Sequence, residues 1–159
     1  MGSDSDLPTL AEAAKTLAEL KIPYEIEITS AHRSPKRTSE YTTQAAGRGL
    51  RVIIAGAGGA FHLAGVIAAE TTLPVIGVPM QNSPLSGLDS LLAAVQMPSG
   101  VPVGVMGIGK SGAVNAAVFA AQILATSDRT VAKRLVLYKE RLAAGVVEKS
   151  SRMKRELGF

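Results

Sequence analysis

Short apolar runs recur along the chain, each bounded by Gly, Pro or polar residues. They include Val52, Ile53 and Ile54; Val75, Ile76 and Val78; and Val101, Val103 and Val105. Runs of this length, rich in β-branched residues, predict buried strands. Residues 24–29 behave differently: Tyr24, Ile26 and Ile28 alternate with Glu25, Glu27 and Thr29. That alternation predicts a strand with one polar face near a sheet edge. Between the strands the period lengthens. Leu10, Ala13, Ala14, Leu17 and Leu20 recur at helical spacing behind Leu7 and Pro8, with proline in the first turn where its missing N–H costs little. Ser34 and Pro35 read as the cap and first residue of a second helix that ends near Gly47. Further helices are expected over residues 66–69 onward, 88–95 and 113–125. Alternating strands and helices predict one domain with a parallel sheet between helix layers, an α/β/α three-layer fold.

Two helical stretches carry further expectations. Residues 113–125 are apolar around most of the circumference, which predicts burial against other subunits. Residues 130–157 form one final helix, or two broken near Gly145. Val131, Leu135, Tyr138, Leu142 and Val146 make a stripe that must dock on the chain's own core or on a neighbour. The expected division is a catalytic domain over residues 1–127 and a C-terminal helical extension, residues 128–159, packing on a neighbouring subunit.

Composition narrows the chemistry. The chain has 159 residues, 47% of them apolar, which makes it globular. It has no cysteine and two histidines, which removes disulfides and argues against a structural zinc site. The net charge is +4, but residues 128–159 hold nine Lys/Arg against four Asp/Glu. Acids interleave with those bases and the only aromatics among them are Tyr138 and Phe159, so the tail reads as a solvated helix face with no nucleic-acid partner. No apolar run reaches the roughly 18 residues of a membrane span. No signal peptide is recognised, and the expected location is the cytoplasm.

Three junctions draw the polar chemistry together. Gly2, Ser3, Ser5 and Asp6 precede the first helix; they read either as a capped helix start or as an anion cradle of hydroxyls and free N–H groups. Ser30, Ala31, His32 and Arg33 sit on the loop after residues 24–29, at the strand end where open α/β sheets bind ligands. Ala55, Gly56, Ala57, Gly58, Gly59, Ala60, Phe61 and His62 link a strand to a helix. The glycine pattern only partly fits a dinucleotide fingerprint, because Phe61 stands where a small residue belongs. His62 reads either as a helix-start residue or as part of a site.

Taken together, residues 1–6, 30–35, 55–65 and 89–98 resemble one family: N5-carboxyaminoimidazole ribonucleotide mutase of de novo purine biosynthesis, in its bacterial class. The likeness runs from Met1 to about Leu124. It implies a flavodoxin-like fold, a homo-octamer with sites shared between subunits, no cofactor and no metal. The implied reaction is an isomerisation that moves a carboxylate from the exocyclic nitrogen of an aminoimidazole ribonucleotide to ring carbon C4. The match gives His32 the proton-shuttle role, with His62 contacting or orienting the carboxylate. Ser3, Ser5 and Arg33 would hold phosphate and Asp6 the ribose hydroxyls. Ser30 and Ala31 would line the pocket. Gly56, Ala57, Gly58, Gly59 and Ala60 would offer N–H groups to the migrating carboxylate or CO2, with Leu63 beside them. Direct carboxylation of aminoimidazole ribonucleotide by free CO2, and a nucleotide-binding homologue without turnover, are the alternative readings.

The chain departs from the family at three places. Phe61 replaces alanine, which predicts a large ring beside His62 that points into a subunit contact or narrows the pocket. Ala64 replaces proline, which predicts a looser turn. The family also has an apolar strand ending at the residue that matches Met1, central in a 2-1-3-4-5 sheet. Without it, residues 24–29 and 52–55 would flank an empty slot with unpaired backbone groups. Residues before Met1, or another segment, are expected to fill it.

Overall fold

A computed structural model describes all residues, Met1–Phe159. Three parallel strands, β1 (Ile53–Ala57), β2 (Val75–Pro79) and β3 (Gly104–Val105), lie in the order β1-β2-β3. Ile53 pairs with Val75 and Ala57 with Pro79, while Ile76 and Gly77 pair with Gly104 and Val105. Six helices surround the strands: α1 (Leu7–Glu19), α2 (Pro35–Ala45), α3 (His62–Glu70), α4 (Leu88–Ala94), α5 (Gly109–Ala125) and α6 (Arg129–Leu157).

Strand alternation divides the core in two. Ile76 and Val78 join Leu10, Leu17 and the alanines of α5 on one face. Ile53, Ala55, Ala57 and Val75 join Phe61, Leu63 and Ile67 on the other. Successive strand side chains point to opposite faces, so one sheet serves both layers. The arrangement is the expected three-layer, flavodoxin-like α/β fold.

Residues 24–29 do not form a paired strand. They run extended at the margin of the sheet. Arg48 Nη2 reaches Glu25 Oε1 at 2.9 Å, and Arg37 pairs with Glu27. Their polar alternation is real, but no strand lies against them along their length. The fourth expected strand also shrinks, to the two residues of β3.

Helix α5 corrects a second expectation. Its Ala113, Ala116, Ala117, Ala120 and Ala121 are buried within this chain, against α1, α6 and β2. The alanines allow close helix approach inside one protomer, so burial of that face needs no neighbour. Helix α6 is continuous through Gly145. Val131 and Leu135 dock on the core, whereas Leu142 and Val146 are exposed at 56% and 67%. The stripe therefore leaves the body of the protomer after Tyr138. No helix is long and apolar enough to cross a membrane.

Candidate active site

The carboxyl ends of β1 and β2 open into a cleft of about 380 Å3. Four segments meet there: residues 2–6, residues 30–33, the turn from Ala57 to Leu63, and Asn82.

The first segment is a capped turn before α1. Ser3 Oγ accepts from the Ser5 N–H at 3.3 Å, and Asp6 Oδ2 accepts from the Ser3 N–H at 3.2 Å, a reciprocal capping box. Asp6 is only 3% exposed. Burial pushes its carboxyl above the usual range, partly opposed by the Ser3 and Gly2 backbone N–H groups. Its second oxygen accepts from Asn82 Nδ2 at 3.1 Å. A Cβ at Gly58 would come within 1.9 Å of Asn82 Oδ1, so glycine at that position is what admits the asparagine.

The second segment is pinned by two serines. Ser34 Oγ accepts from the Ser30 N–H at 2.9 Å, and Ser30 Oγ accepts from the Arg33 N–H at 3.2 Å. These bonds fix the loop ahead of α2 and present His32 and Arg33 outward. The Arg33 guanidinium donates to the Gly2 carbonyl at 3.4 Å, bringing a cation beside the serine turn. Cation, hydroxyls and Gly2 therefore share one end of the cleft, an arrangement suited to an anion.

The third segment carries His62 at the first position of α3. The preceding Phe61 adopts a left-handed conformation, φ 56°, and Gly59 does so at φ 57°. Bulky side chains rarely take that conformation. At Phe61 it is held by packing: the ring is 5% exposed, and a Cβ on Gly77 would lie 2.9 Å from it. The ring is thus anchored in the chain's own core and only borders the cleft, which corrects the expected subunit-facing or pocket-narrowing ring. Ala64 is fully buried in the first turn of α3, within a packed helix instead of a loosened turn.

The two histidines meet across the cleft. His32 Nε2 lies 2.6 Å from His62 Nδ1, with the rings nearly perpendicular at 80°. At that separation one nitrogen donates and the other accepts, so a single hydrogen lies between them.

The cleft gathers Ser3, Asp6, Ser30, Ala31, His32, Arg33, Ala57, Gly58, Ala60, His62 and Leu63 from the expected set. Three expected residues do not line it. Ser5 is exposed and donates its hydroxyl to Ser3 Oγ at 2.9 Å. Gly56 is buried, and a Cβ there would strike Met80 Cε at 2.4 Å and Leu10 Cδ1 at 2.8 Å; it is a packing glycine. Gly59 shapes the turn from outside. Asn82 was not expected. Its position just past the end of β2, on the edge shared by the other junctions, is the signal that points to it.

Comparison with known proteins identifies the family. A family model described as AIR carboxylase matches residues 1–144. The chain is 53% identical over 153 residues to the N5-carboxyaminoimidazole ribonucleotide mutase of Bacillus subtilis (strain 168), covering 96% of this chain and 94% of that one. It is 52% identical over 159 residues to the Thermotoga maritima protein of the same name, covering 100% and 91%. The crystal structure of Treponema denticola PurE superposes with a TM-score of 0.86 at 26% identity, covering 97% and 95%. A family model over residues 1–144, relatives about half identical over nearly the whole length and a matching fold lead to one conclusion: the chain belongs to the AIR carboxylase family.

Proposed function

We propose that the protein is an N5-carboxyaminoimidazole ribonucleotide mutase, an isomerase of purine biosynthesis. The observation that carries the reading is the His32–His62 pair, 2.6 Å apart, beside an anion-suited end built from Ser3 and Arg33. The reaction breaks the bond between the exocyclic nitrogen and the carboxyl carbon, then forms one between ring C4 and the same carbon. A proton must reach the nitrogen as CO2 leaves, and a proton must leave C4 after CO2 adds. The two transfers cancel, so one group suffices for both. His32 gives its proton to the nitrogen and takes the one from C4.

The remaining residues confine and orient. Ser3 and Arg33 bind the phosphate, and Asp6 accepts from the ribose hydroxyls. Ser30 and Ala31 form the wall beside His32. Ala57, Gly58 and Ala60 present a surface of small side chains where CO2 can lie while it is unattached, with Leu63 closing it. His62 donates to the migrating carboxylate from the start of α3, where unpaired backbone N–H groups also favour an anion.

The protein works as a homo-octamer in the cytoplasm, with residues 128–159 packing on a neighbouring subunit. Leu142, Val146 and Val147, all more than half exposed on α6, supply an apolar surface for that contact. Light scattering in solution tests it.

The catalytic reading is tested by supplying either the carbamate substrate or aminoimidazole ribonucleotide with bicarbonate. Faster turnover of the carbamate supports the mutase. Turnover only with bicarbonate makes the protein a direct carboxylase, and tight binding without turnover makes it a nucleotide-binding homologue.

A further inference from the structure

Helix α2 turns Thr38, Thr42 and Ala45 inward, and both threonines are fully buried. The inward stripe of a helix is ordinarily apolar. Thr42 is satisfied within the helix, donating to the Thr38 carbonyl at 2.8 Å. Thr38 is bonded outside it as well. Its hydroxyl lies 2.7 Å from that of Thr29, nine positions earlier and also buried. Two hydroxyls thus meet in the interior, where two valines of nearly the same shape would fill the space without them.

Counting hydrogens fixes the direction of these bonds. Each hydroxyl has one hydrogen to give. Thr38 Oγ1 also lies 3.2 Å from the Ser34 carbonyl, which only accepts. Both contacts form together only when Thr29 donates to Thr38 and Thr38 donates to Ser34. The Ser34 carbonyl accepts from the Thr38 N–H too, at 3.0 Å. Ser34 Oγ does not cap α2; it accepts from the Ser30 N–H at 2.9 Å, while the Ser34 N–H donates to the Ser30 carbonyl at 3.0 Å. A line of bonds therefore runs from Thr29 through Thr38 and Ser34 to Ser30, and its two ends are neighbours in the chain. It closes around residues 30–34, with His32 at their centre.

We propose that Thr29 and Thr38 are positioning residues for His32: their hydroxyl bond clamps the two stems of the loop that carries it. The inference rests on the reading of His32 as the proton shuttle. Thr29 is the last residue before the loop, and Thr38 stands in the first turn of the helix after it. An apolar pair would hold the stems together without fixing their separation, because apolar contact has no direction. A hydroxyl pair has a set length and angle. The His32 ring is hydrogen-bonded only to His62, so the loop backbone decides where it stands. Arg33 shares the loop, but its long side chain can follow a small shift and still reach an anion. His32 must meet the reacting atoms within hydrogen-bond distance. Loss of the clamp therefore acts on kcat before KM.

The test compares the parent with Thr38→Ser and with the double variant Thr29→Val/Thr38→Val. Replacing both partners leaves neither hydroxyl unpaired, so the fold is kept and Tm is expected within about 5 °C of the parent. With the carbamate substrate, kcat of the double variant is expected to fall about tenfold while KM stays within about twofold. Thr38→Ser keeps the bond and is expected to keep kcat within about twofold. A second readout needs no turnover. The through-bond coupling between His32 Nε2 and His62 Nδ1 in 15N-labelled protein is expected to vanish in the double variant and persist in Thr38→Ser. Parent kcat and parent coupling in the double variant would overturn the proposal and leave the pair as core filling. So would a loss in Thr38→Ser equal to that of the double variant, or a matching rise in KM with Tm lowered by more than about 10 °C. Should the double variant not fold, Thr29→Val alone, which leaves Thr38 bonded to Ser34, takes its place with the same readouts. A parent without turnover would defeat the mutase reading, and the coupling would then decide the clamp by itself; a parent without the coupling overturns the clamp.

Discussion

His32 Nε2 and His62 Nδ1 share one hydrogen across 2.6 Å, although the residues lie 30 positions apart and on different loops. Each loop reaches this point by its own device. Ser30 and Ser34 bond the His32 loop to itself, and the buried Phe61 ring sets the turn before His62. The pairing predicts a through-bond coupling between the two nitrogens in a 15N-labelled sample, lost when either histidine is replaced. It also predicts unequal kinetic roles. His62→Asn is expected to lose about 10–100-fold in turnover, and His32→Asn about 10²–10⁴-fold, the range of a general acid–base group. Equal losses from both would contradict the division of labour.

Asn82 occupies space that exists because position 58 has no side chain. Gly58→Ala puts a methyl group 1.9 Å from Asn82 Oδ1 and must displace it from Asp6. The expected result is a KM raised about tenfold or more with kcat less affected, since removing a binding contact weakens ground and transition states together. Asn82→Ala should behave in the same direction. A normal KM in both variants would remove Asn82 from the ribose end of the cleft.

Asp6 makes a pH-dependent contribution whose sign follows from its burial. Its folded pKa lies above its unfolded value, so the folded chain holds that proton more tightly. The contribution is fully present below the unfolded pKa and is lost as pH rises through the folded pKa. Asp6→Asn removes the titration. Its stability relative to the parent should therefore shift in favour of the variant as pH rises from the ordinary aspartate range through the raised folded pKa. Urea unfolding of both proteins across that range measures the slope, and a slope of the opposite sign would contradict the account.

Phe61 and Gly77 fit as ring and gap. Phe61→Ala empties the gap, at a cost of about 3–5 kcal/mol for a buried aromatic. Gly77→Ala overfills it, at about 1–3 kcal/mol. The double variant should cost less than the sum by about 0.5–3 kcal/mol, because the new methyl then meets no ring. Phe61→Ala should also lower kcat about tenfold or more through displacement of His62. Chemical denaturation of the four proteins closes the cycle; simple additivity would show that the two positions do not meet.

Most of the fold was legible because its signals are local. The stripe of Leu10, Ala13 and Leu17, the Ser34–Pro35 start of α2 and the apolar run of β1 each declare an element from their own residues. The three junctions could be read as one site because strand ends gather on one edge of a parallel sheet. What escaped depends on neighbours distant in sequence. Residues 24–29 alternate as a strand but become one only when another strand lies beside them. Gly56 and Gly58 look alike in the sequence, yet one makes room for Leu10 and Met80 in the core and the other for Asn82 in the cleft. The burial of α5 within its own protomer depends on how closely α1 and α6 approach its alanines, and that distance is not written in α5.

His32 is proposed to move the proton between the exocyclic nitrogen and C4. Exchange of the C4 proton of aminoimidazole ribonucleotide into D2O, followed by proton NMR with the parent and with His32→Asn, tests it most directly. Exchange is expected with the parent and none with the variant, while nucleotide binding by the variant stays within about threefold, since the anion and ribose contacts lie on other residues. Retained exchange in His32→Asn would contradict it.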